Sequence, residues 1–367
     1  MGAKEINMTM QTFGLTPGRL NRFKGEILAH AVPDEVLGKG GRQVKFPKNS
    51  SDTYVARRFL PYGGSASDAN SINRFFSQTA SGDRGNAVVQ AHQTQEGVTP
   101  APDSITPMDI PVVMQQYSCL YGFTDKTYNL YEDDIPAAMT AQVGERVTLV
   151  NELIIYGALK ACTNVYYGGV GTTIATVSGG LTLGMVRRIV ANLQANHGKY
   201  VTSVIKPSAM FGTDAVAAGY IVYCHTNLEP DIRDMPGFVP TEKYAAQSMT
   251  PMPNEVGKVE RFRFITSPDL PALLNGGAVV ASTGMQSTAG ANIDVYPLLV
   301  CAADAWSQIA VRGMDVMDPT FLPPGRKEKS DPHGQRGYIG AMWWKAVMIE
   351  NSGWMAVSYV GAKVLPT

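Results

Sequence analysis

The clearest hydrophobic periodicity in the chain lies between residues 134 and 162. Asp133 and Asp134 offer N-cap side chains, and Pro136 is tolerated in a first helical turn. At about 1.5 Å per residue, this span predicts a helix of roughly 43 Å. Its apolar positions recur at spacings of three and four, which predicts one buried face. The predicted core positions of this spine helix are Met139, Val143, Val147, Val150, Ile154 and, one turn later, Ala158.

The second half of the chain mixes strand and helix patterns. Thr182 precedes an amphipathic stretch that ends near Gly198, so it predicts a capped helix. Two apolar runs at 338–349 and 354–361, separated by a Glu-Asn-Ser-Gly tetrapeptide, predict a C-terminal hairpin. The remaining patterns over 180–312 predict an α/β or α+β domain. They are strands at 201–205, 220–224, 259–266, 295–300 and 306–311, and short helices at 208–218 and 228–235.

The N-terminal third is extended and poor in core positions. Residues 44–60 and 108–124 predict the two legs of a long hairpin, which is marginal in water without a partner. The segment 63–107 between them is too polar and Gly-rich to order itself inside a compact domain. The apolar residues expected to be exposed on these arms need covering, and repeated contacts between copies would cover them. They are Phe46, Tyr54, Phe59, Phe75 and Phe76.

Charge argues against a dedicated nucleic-acid binder. The chain has 31 Lys+Arg and 31 Asp+Glu, whereas neutralising many phosphates requires a strongly basic protein. Only 17% of residues are charged, below the ~25% of typical soluble domains, which favours a surface partly covered by other subunits. Residues 1–62 carry an excess of Lys and Arg. That excess indicates a solvated arm or, alternatively, contact with an acidic partner or packaged nucleic acid.

The four cysteines, Cys119, Cys162, Cys224 and Cys301, are too scattered for a zinc site or a disulfide framework. They predict free thiols in a reducing compartment. Residues 1–30 contain six charged side chains and no continuous apolar run, so we expect no secretory signal. No window of 18 residues is apolar enough to span a bilayer, so the sequence predicts a cytosolic protein.

No catalytic constellation emerges from the motifs. Cys224 and His225 are adjacent in a predicted strand and therefore face opposite ways. His197 is typical of a helix C-terminal cap, and Asp231 with Asp234 indicates a surface role. Phosphate-binding loops, Ser-nucleophile elbows and paired-His zinc motifs are absent from the sequence. We therefore predict no enzyme, no cofactor and no bound metal.

A series of short stretches resembles the major capsid proteins of tailed bacteriophages related to phage N-four, which have the Hong Kong 97 capsid fold. The similar stretches occur in the same order over about 44–360 and so span nearly the whole chain. They are Phe46-Pro47-Lys48-Asn49 with Arg57-Arg58-Phe59, Glu96-Gly97-Val98-Thr99-Pro100, Gln116-Tyr117 with Tyr121-Gly122, Thr163-Asn164-Val165-Tyr166-Tyr167-Gly168-Gly169, Leu181-Thr182, and Asp331-Pro332 with Gln335-Arg336-Gly337, Gly340 and Trp343-Trp344-Lys345.

The resemblance implies an α+β fold divided into five parts. They are an N-terminal arm (1–41), an extended loop (42–111) with an insertion (63–95), a peripheral domain (112–175) with the spine helix (134–162), an axial domain (176–312), and a return segment with a C-terminal hairpin of the peripheral domain (313–367). Some capsids of this fold join a loop Lys to an Asn of a neighbour. Lys45, Lys48 and Asn351 are candidates by residue type alone, and no acidic catalyst accompanies them.

The function that the resemblance implies is assembly into hexamers and pentamers of an icosahedral shell around double-stranded DNA. The extended-loop residues expected to make assembly contacts are Phe46, Lys48, Arg57, Arg58 and Phe59. Expected partners are further copies, portal and scaffolding proteins, a decoration protein, and packaged DNA held non-specifically, with no membrane. The shell would form in the host bacterial cytoplasm and reside in the virion. Two alternatives stay open: a cellular nanocompartment shell of the same fold, and a cytosolic α/β enzyme with its pocket in 180–312.

Overall fold

The computed structural model describes residues 32–33, 35–49, 51–60, 93–94, 96–99, 104–130, 134–203, 216–244, 252–280, 284–312 and 318–364. Several predictions fall outside these residues. They are most of the arm 1–41, nearly all of the insertion 63–95 with Phe75 and Phe76, and most of the short helix at 208–218.

The described residues form an α+β fold, as the sequence predicts. The helices are α1 (Asp125–Leu130), α2 (Ile135–Leu159), α3 (Leu183–Ala195) and α4 (Glu229–Arg233). The strands are β1 (Arg42–Phe46), β2 (Thr53–Phe59), β3 (Pro107–Val113), β4 (Gln115–Thr124), β5 (Val165–Tyr167), β6 (Tyr220–His225), β7 (Phe238–Pro240), β8 (Glu255–Val259), β9 (Phe262–Ser267), β10 (Val295–Cys301), β11 (Trp306–Val311), β12 (Asp318–Leu322), β13 (Arg336–Ile349) and β14 (Met355–Gly361).

The largest sheet has seven strands in the order β5-β14-β10-β6-β9-β8-β7. Helix α3 packs on it through Val186, Ile189 and Leu193, all fully buried. The Thr182 hydroxyl accepts a hydrogen bond from the backbone N–H of Met185, which confirms the predicted N-cap. At the other end of the helix, His197 adopts a left-handed φ of 56°, consistent with its predicted capping role.

Two strand predictions in this region are wrong. The stretch predicted as one strand over 259–266 contains the turn between β8 and β9, where Glu260 has a φ of 49°. Residues 201–203 are not in a strand, although 201–205 was predicted as one. The strands at 220–224, 295–300 and 306–311 are confirmed.

The second sheet has five strands, in the order β1-β11-β13-β12, with β4 also paired to β13. The long strand β13 joins its two parts: its first residues pair with β4 and β12, and its last residues pair with β11. Helix α2 covers the β4–β13 part. The buried core between them includes Phe123, Ile339 and Trp343.

The predicted C-terminal hairpin is wrong, because β13 and β14 belong to different sheets. Strand β14 lies between β10, to which it is antiparallel, and β5, to which it is parallel. All seven residues of β14 are buried, as expected for a central strand covered on both faces. The Glu-Asn-Ser-Gly segment therefore carries the chain from one sheet to the other.

The predicted long hairpin is shorter than expected. Strands β2 and β3 pair with each other over their full lengths, with Thr53 opposite Val113 and Phe59 opposite Pro107. The outer parts of the two predicted legs pair elsewhere: β1 lies parallel to β11, and β4 lies antiparallel to β13. The hairpin proper is therefore 53–59 and 107–113, and it extends from the five-stranded sheet.

Candidate assembly surfaces

The β2–β3 hairpin has two distinct faces, because side chains alternate along each strand. On β2, Val55, Arg57 and Phe59 are exposed while Tyr54, Ala56 and Arg58 are half-buried, and β3 alternates in the same way. We call the exposed side the outer face and the half-buried side the inner face.

The outer face is apolar at both ends and charged in the middle. Val55, Phe59 and Val113 are 52%, 62% and 50% exposed. Between them, Arg57 lies directly opposite Asp109, and its Nε donates to the Asp109 carboxylate at 2.8 Å. This exposed pair lowers the pKa of Asp109 and raises that of Arg57. A cross-strand pair of this kind helps to fix the register of the hairpin.

The inner face packs on the subunit's own five-stranded sheet. The contact is an apolar cluster that includes Phe46. The sequence predicted Phe46 to be exposed for assembly, but it is only 7% exposed. Its ring meets that of Tyr54 edge-on, at 5.8 Å between centroids. The prediction is wrong because β1 pairs with β11, which carries Phe46 into the core. Met114, Ile309, Ala346 and Met348 complete the cluster.

The other predicted loop residues are divided between the surface and the core. Lys48 is exposed in the turn after β1, outside the hairpin, and Lys45 is exposed on β1. Asn351 is buried, and its side-chain oxygen accepts from the backbone N–H of Gly353. A side chain so enclosed is poorly placed to react with a lysine of another copy.

The core face of α2 follows the prediction in its first half only. Met139, Val143 and Val147 are buried against β4 and β13, and Val150 packs at the edge of that cluster. Ile154 is half-buried, in contrast to the prediction. Ile155, Tyr156 and Leu159 are buried instead, because this end of the helix packs against the seven-stranded sheet. The helix itself ends at Leu159.

Glu152 ties α2 to the segment before β1. Its carboxylate is 1% exposed and accepts backbone hydrogen bonds from Val36, Leu37 and Gly38 at 3.1, 2.9 and 2.7 Å. Burial raises the pKa of Glu152, although these hydrogen bonds oppose that shift. On the other side of the segment, the Gln308 amide donates to the carbonyls of Gly38 and Gly40. The sequence offered no signal for either residue.

A second exposed apolar surface lies on the five-stranded sheet, opposite α2. Leu120 on β4, Met342 on β13 and Leu322 on β12 are 50%, 37% and 40% exposed. The register places Leu120 opposite Gly340 and Leu322 opposite Tyr338, so these side chains share one face. With the outer face of the hairpin, this is a candidate for contact with another copy.

A cavity of about 530 Å³ lies between residues 35–42 and the seven-stranded sheet. Tyr223 and Cys301 line it, and burial raises the pKa of both groups. Both stay protonated at neutral pH, which is the opposite of an activated nucleophile.

The other candidate chemical groups of the sequence have structural partners. Cys224 is buried in the core, and His225 Nδ1 accepts from the backbone N–H of Asn227. Asp231, which we expected at the surface, is 6% exposed and accepts from the backbone N–H of Lys363. Within the described ranges, no group of three His, Cys, Asp or Glu side chains could hold a metal ion. None of the helices described for this chain is long and apolar enough to cross a membrane.

Comparison with known proteins gives one match in sequence and many in structure. No protein-family model matches the chain. The chain is 24% identical over 258 residues to the major capsid protein of Pseudomonas phage KPP21, a match that covers 65% of this chain and 64% of that protein. The chain therefore spans just under two thirds of the length of the curated relative it matches.

Similar solved structures come from phage shells. The capsid of Ralstonia phage GP4 superposes with a TM-score of 0.58 at 12% identity, covering 98% of this chain and 99% of that chain. The capsid of cyanophage Pam1 gives a TM-score of 0.55 at 13% identity, covering 96% and 100%. The fold is thus that of tailed-phage capsid proteins, the Hong Kong 97 type, as the resemblance in sequence implied.

Proposed function

We propose that this chain is the major capsid protein of a tailed bacteriophage, with a structural and not a catalytic role. The observation that carries the proposal is the capsid fold over nearly the whole chain, combined with an outer hairpin face that the described part of the chain leaves exposed. The relative in Pseudomonas phage KPP21, named a major capsid protein, supports the same role.

In this proposal many copies form hexamers and pentamers, which close into an icosahedral shell around double-stranded DNA in the host cytoplasm. The seven-stranded sheet is the centre of the axial domain, which meets its counterparts around each capsomer axis. Strand β14 adds part of the C-terminal region to that domain. The peripheral domain around α2 and β13 lies toward the capsomer edge.

The β2–β3 hairpin lies over the peripheral domain of the adjacent copy. Burial of Val55, Phe59 and Val113 there stabilises the contact, at about 25 cal/mol per Å² of apolar surface removed from water. The exposed face of the five-stranded sheet, at Leu120 and Met342, provides further apolar surface. Portal and scaffolding proteins, a decoration protein and non-specifically held DNA are the other partners in this proposal, and the near-zero net charge is consistent with weak DNA contact.

Sedimentation velocity of two variants at one position tests the proposal. Phe59→Asp places a charge on the outer face, whereas Phe59→Tyr keeps the aromatic surface. Because Phe59 is 62% exposed in the subunit, both variants are expected to melt like wild type. We expect wild type and Phe59→Tyr to form large particles when expressed with the neighbouring genes, and Phe59→Asp to remain as subunits or capsomers.

Particles formed by Phe59→Asp as efficiently as by wild type would show that this face makes no assembly contact. A monomer or dimer of the wild type with and without the neighbouring gene products would reject the capsid role itself. Shells that enclose an enzyme instead of DNA would indicate a cellular nanocompartment.

A further inference from the structure

The junction between the hairpin and the five-stranded sheet contains an unusual polar cluster. Among the residues that the structure describes, three buried side-chain polar atoms lack a hydrogen-bond partner: Arg58 Nε, Ser307 Oγ and Glu350 Oε1. Folded proteins pair nearly all buried polar groups, so each exception calls for an explanation. The three residues come from different parts of the sequence, and the fold brings them to the same junction.

Strand register places these groups on the side of the sheet that receives the hairpin. Ser307 on β11 lies between Arg42 on β1 and Met348 on β13, and Met348 belongs to the apolar cluster under the hairpin. Glu350 follows two residues after Met348. Arg58 reaches the cluster from the inner face of β2, where it follows Tyr54 and Ala56 in the alternation.

Arg58 makes contacts through both terminal nitrogens of its guanidinium but not through its Nε. One terminal nitrogen donates to the backbone carbonyl of Glu350 at 3.3 Å, and the other contacts the Met108 sulfur at 3.7 Å. Burial lowers the pKa of Arg58, and the charge of Glu350 opposes that shift. The Glu350 carboxylate lies near enough to Arg42 for an ion pair, at 3.3 Å from Nε, yet its Oε1 accepts no hydrogen bond.

The unpaired Arg58 Nε and the Glu350 carboxylate, whose Oε1 forms only the ion pair with Arg42, therefore belong to the same junction. Rotation of the Arg58 and Glu350 side chains would transfer the guanidinium from the backbone carbonyl to the carboxylate. The second arrangement gains a charge-assisted hydrogen bond and loses the bond seen here.

We propose that Arg58 is a positioning residue that anchors the hairpin in two alternative hydrogen-bonding arrangements on Glu350, and so sets the angle of the hairpin to its sheet. The role of this anchor in assembly rests on the proposed function, because a chain that builds rings of both five and six must present its hairpin at more than one angle. The anchor itself is a property of the single subunit.

Spin-label distance measurement on the unassembled full-length subunit tests the anchor. Labels on Ile105→Cys, beside the far end of the hairpin, and Thr140→Cys, on the exposed side of α2, report the angle. The four native cysteines are buried, so labelling is confined to the introduced pair. The background for every measurement is this double-cysteine protein.

The two-arrangement anchor predicts two distance populations in that background. Arg58→Met is expected to merge them into one broad distribution. Glu350→Gln keeps the backbone carbonyl but weakens the carboxylate arrangement, so that population should fall about tenfold, as expected when a charge-assisted bond becomes a neutral one. Arg57→Met, the same change on the outer face of the same strand, should leave the distribution unchanged.

A single narrow distance that Arg58→Met and Glu350→Gln both leave in place would overturn the proposal. Equal changes for Arg57→Met and Arg58→Met would also overturn it, since they would show only general loosening of the hairpin. Thermal melting of each variant separates these results from unfolding. Because the subunit is measured before assembly, the outcome is independent of whether shells form.

Discussion

Replacing Glu152 with alanine removes the carboxylate that holds the segment before β1 against helix α2. Three backbone N–H groups lose their acceptor, and two of them belong to Val36 and Leu37, which are 6% and 0% exposed. Hydrogen bonds to charged groups contribute about 1.5–3 kcal/mol each. The burial that raises the pKa of Glu152 offsets part of that sum. We estimate a net loss of about 3 kcal/mol for docking of the segment.

The loss should be local. Residues 35–41 can detach without opening either sheet, so we expect amide hydrogen exchange of Leu37 and Gly38 to accelerate about a hundredfold, the equivalent of about 3 kcal/mol. Exchange in β10 should stay at its wild-type rate. Glu145→Ala, on the same helix but away from the segment, is the matched control and should change neither region.

Unchanged exchange at Leu37 and Gly38 in Glu152→Ala would show that the carboxylate does not hold the segment. An equal acceleration of amide exchange in β10 would show that the loss of stability is not local. In that case the segment would be part of the globally cooperative core.

Three further predictions follow from buried groups. Val147→Asp places a charge between α2 and the sheet and should lower the free energy of unfolding by about 4 kcal/mol or more. The control Thr140→Asp, on the exposed face of the same helix, should melt within a few degrees of wild type. Equal melting of the two variants would mean that the buried face is misassigned. Arg263→Ala leaves the buried Glu255 carboxylate without its 2.6 Å partner and should lower the free energy of unfolding, measured by chemical denaturation, by about 3–5 kcal/mol. An Arg263→Met/Glu255→Leu double variant should recover part of that loss. Full stability of the single variant would contradict a desolvated ion pair. Because the pKa of Glu152 is raised in the folded state, its protonation stabilises the fold at low pH, and that contribution is lost as the pH rises through the raised value. The melting temperature of wild type relative to Glu152→Gln should therefore fall as the pH rises above about 4.3, the ordinary pKa of a glutamate, and a rise would contradict the direction of the shift.

Local patterns predicted the elements that depend on local sequence. Helix α2 begins with the expected cap, in which Asp134 accepts from the backbone N–H of Ala137, and its first three core positions are buried as predicted. The capped helix α3 and strands β6, β10 and β11 follow in the same way. In the two helices the periodicity within the segment reports the buried face, whereas β6 and β10 are apolar runs buried on both faces.

Long-range pairing was not predictable in the same way. The turn composition before β14 favoured a hairpin with β13, but β14 is buried on both faces and lies between β10 and β5. Its sequence, MAVSYVG, lacks the alternating polar residues of a half-exposed strand, and that was the available signal for a central place in a sheet. Phe46 was misplaced for a related reason, because its partner strand β11 lies far along the chain.

The polar anchors left no trace in the sequence. Glu152 holds a segment 116 residues away, and Arg58 reaches a carbonyl 292 residues away. A glutamate on a helix and an arginine on a strand are ordinarily solvated, and only the tertiary structure shows that Glu152 is buried and Arg58 half-buried.

Electron microscopy of the particles that the wild-type chain forms with its neighbouring gene products tests the capsid role most directly. We expect closed shells built from rings of five and six, with each hairpin lying over an adjacent copy. Homogeneous monomers or dimers under all conditions, or particles in which the hairpin contacts only its own subunit, would contradict it.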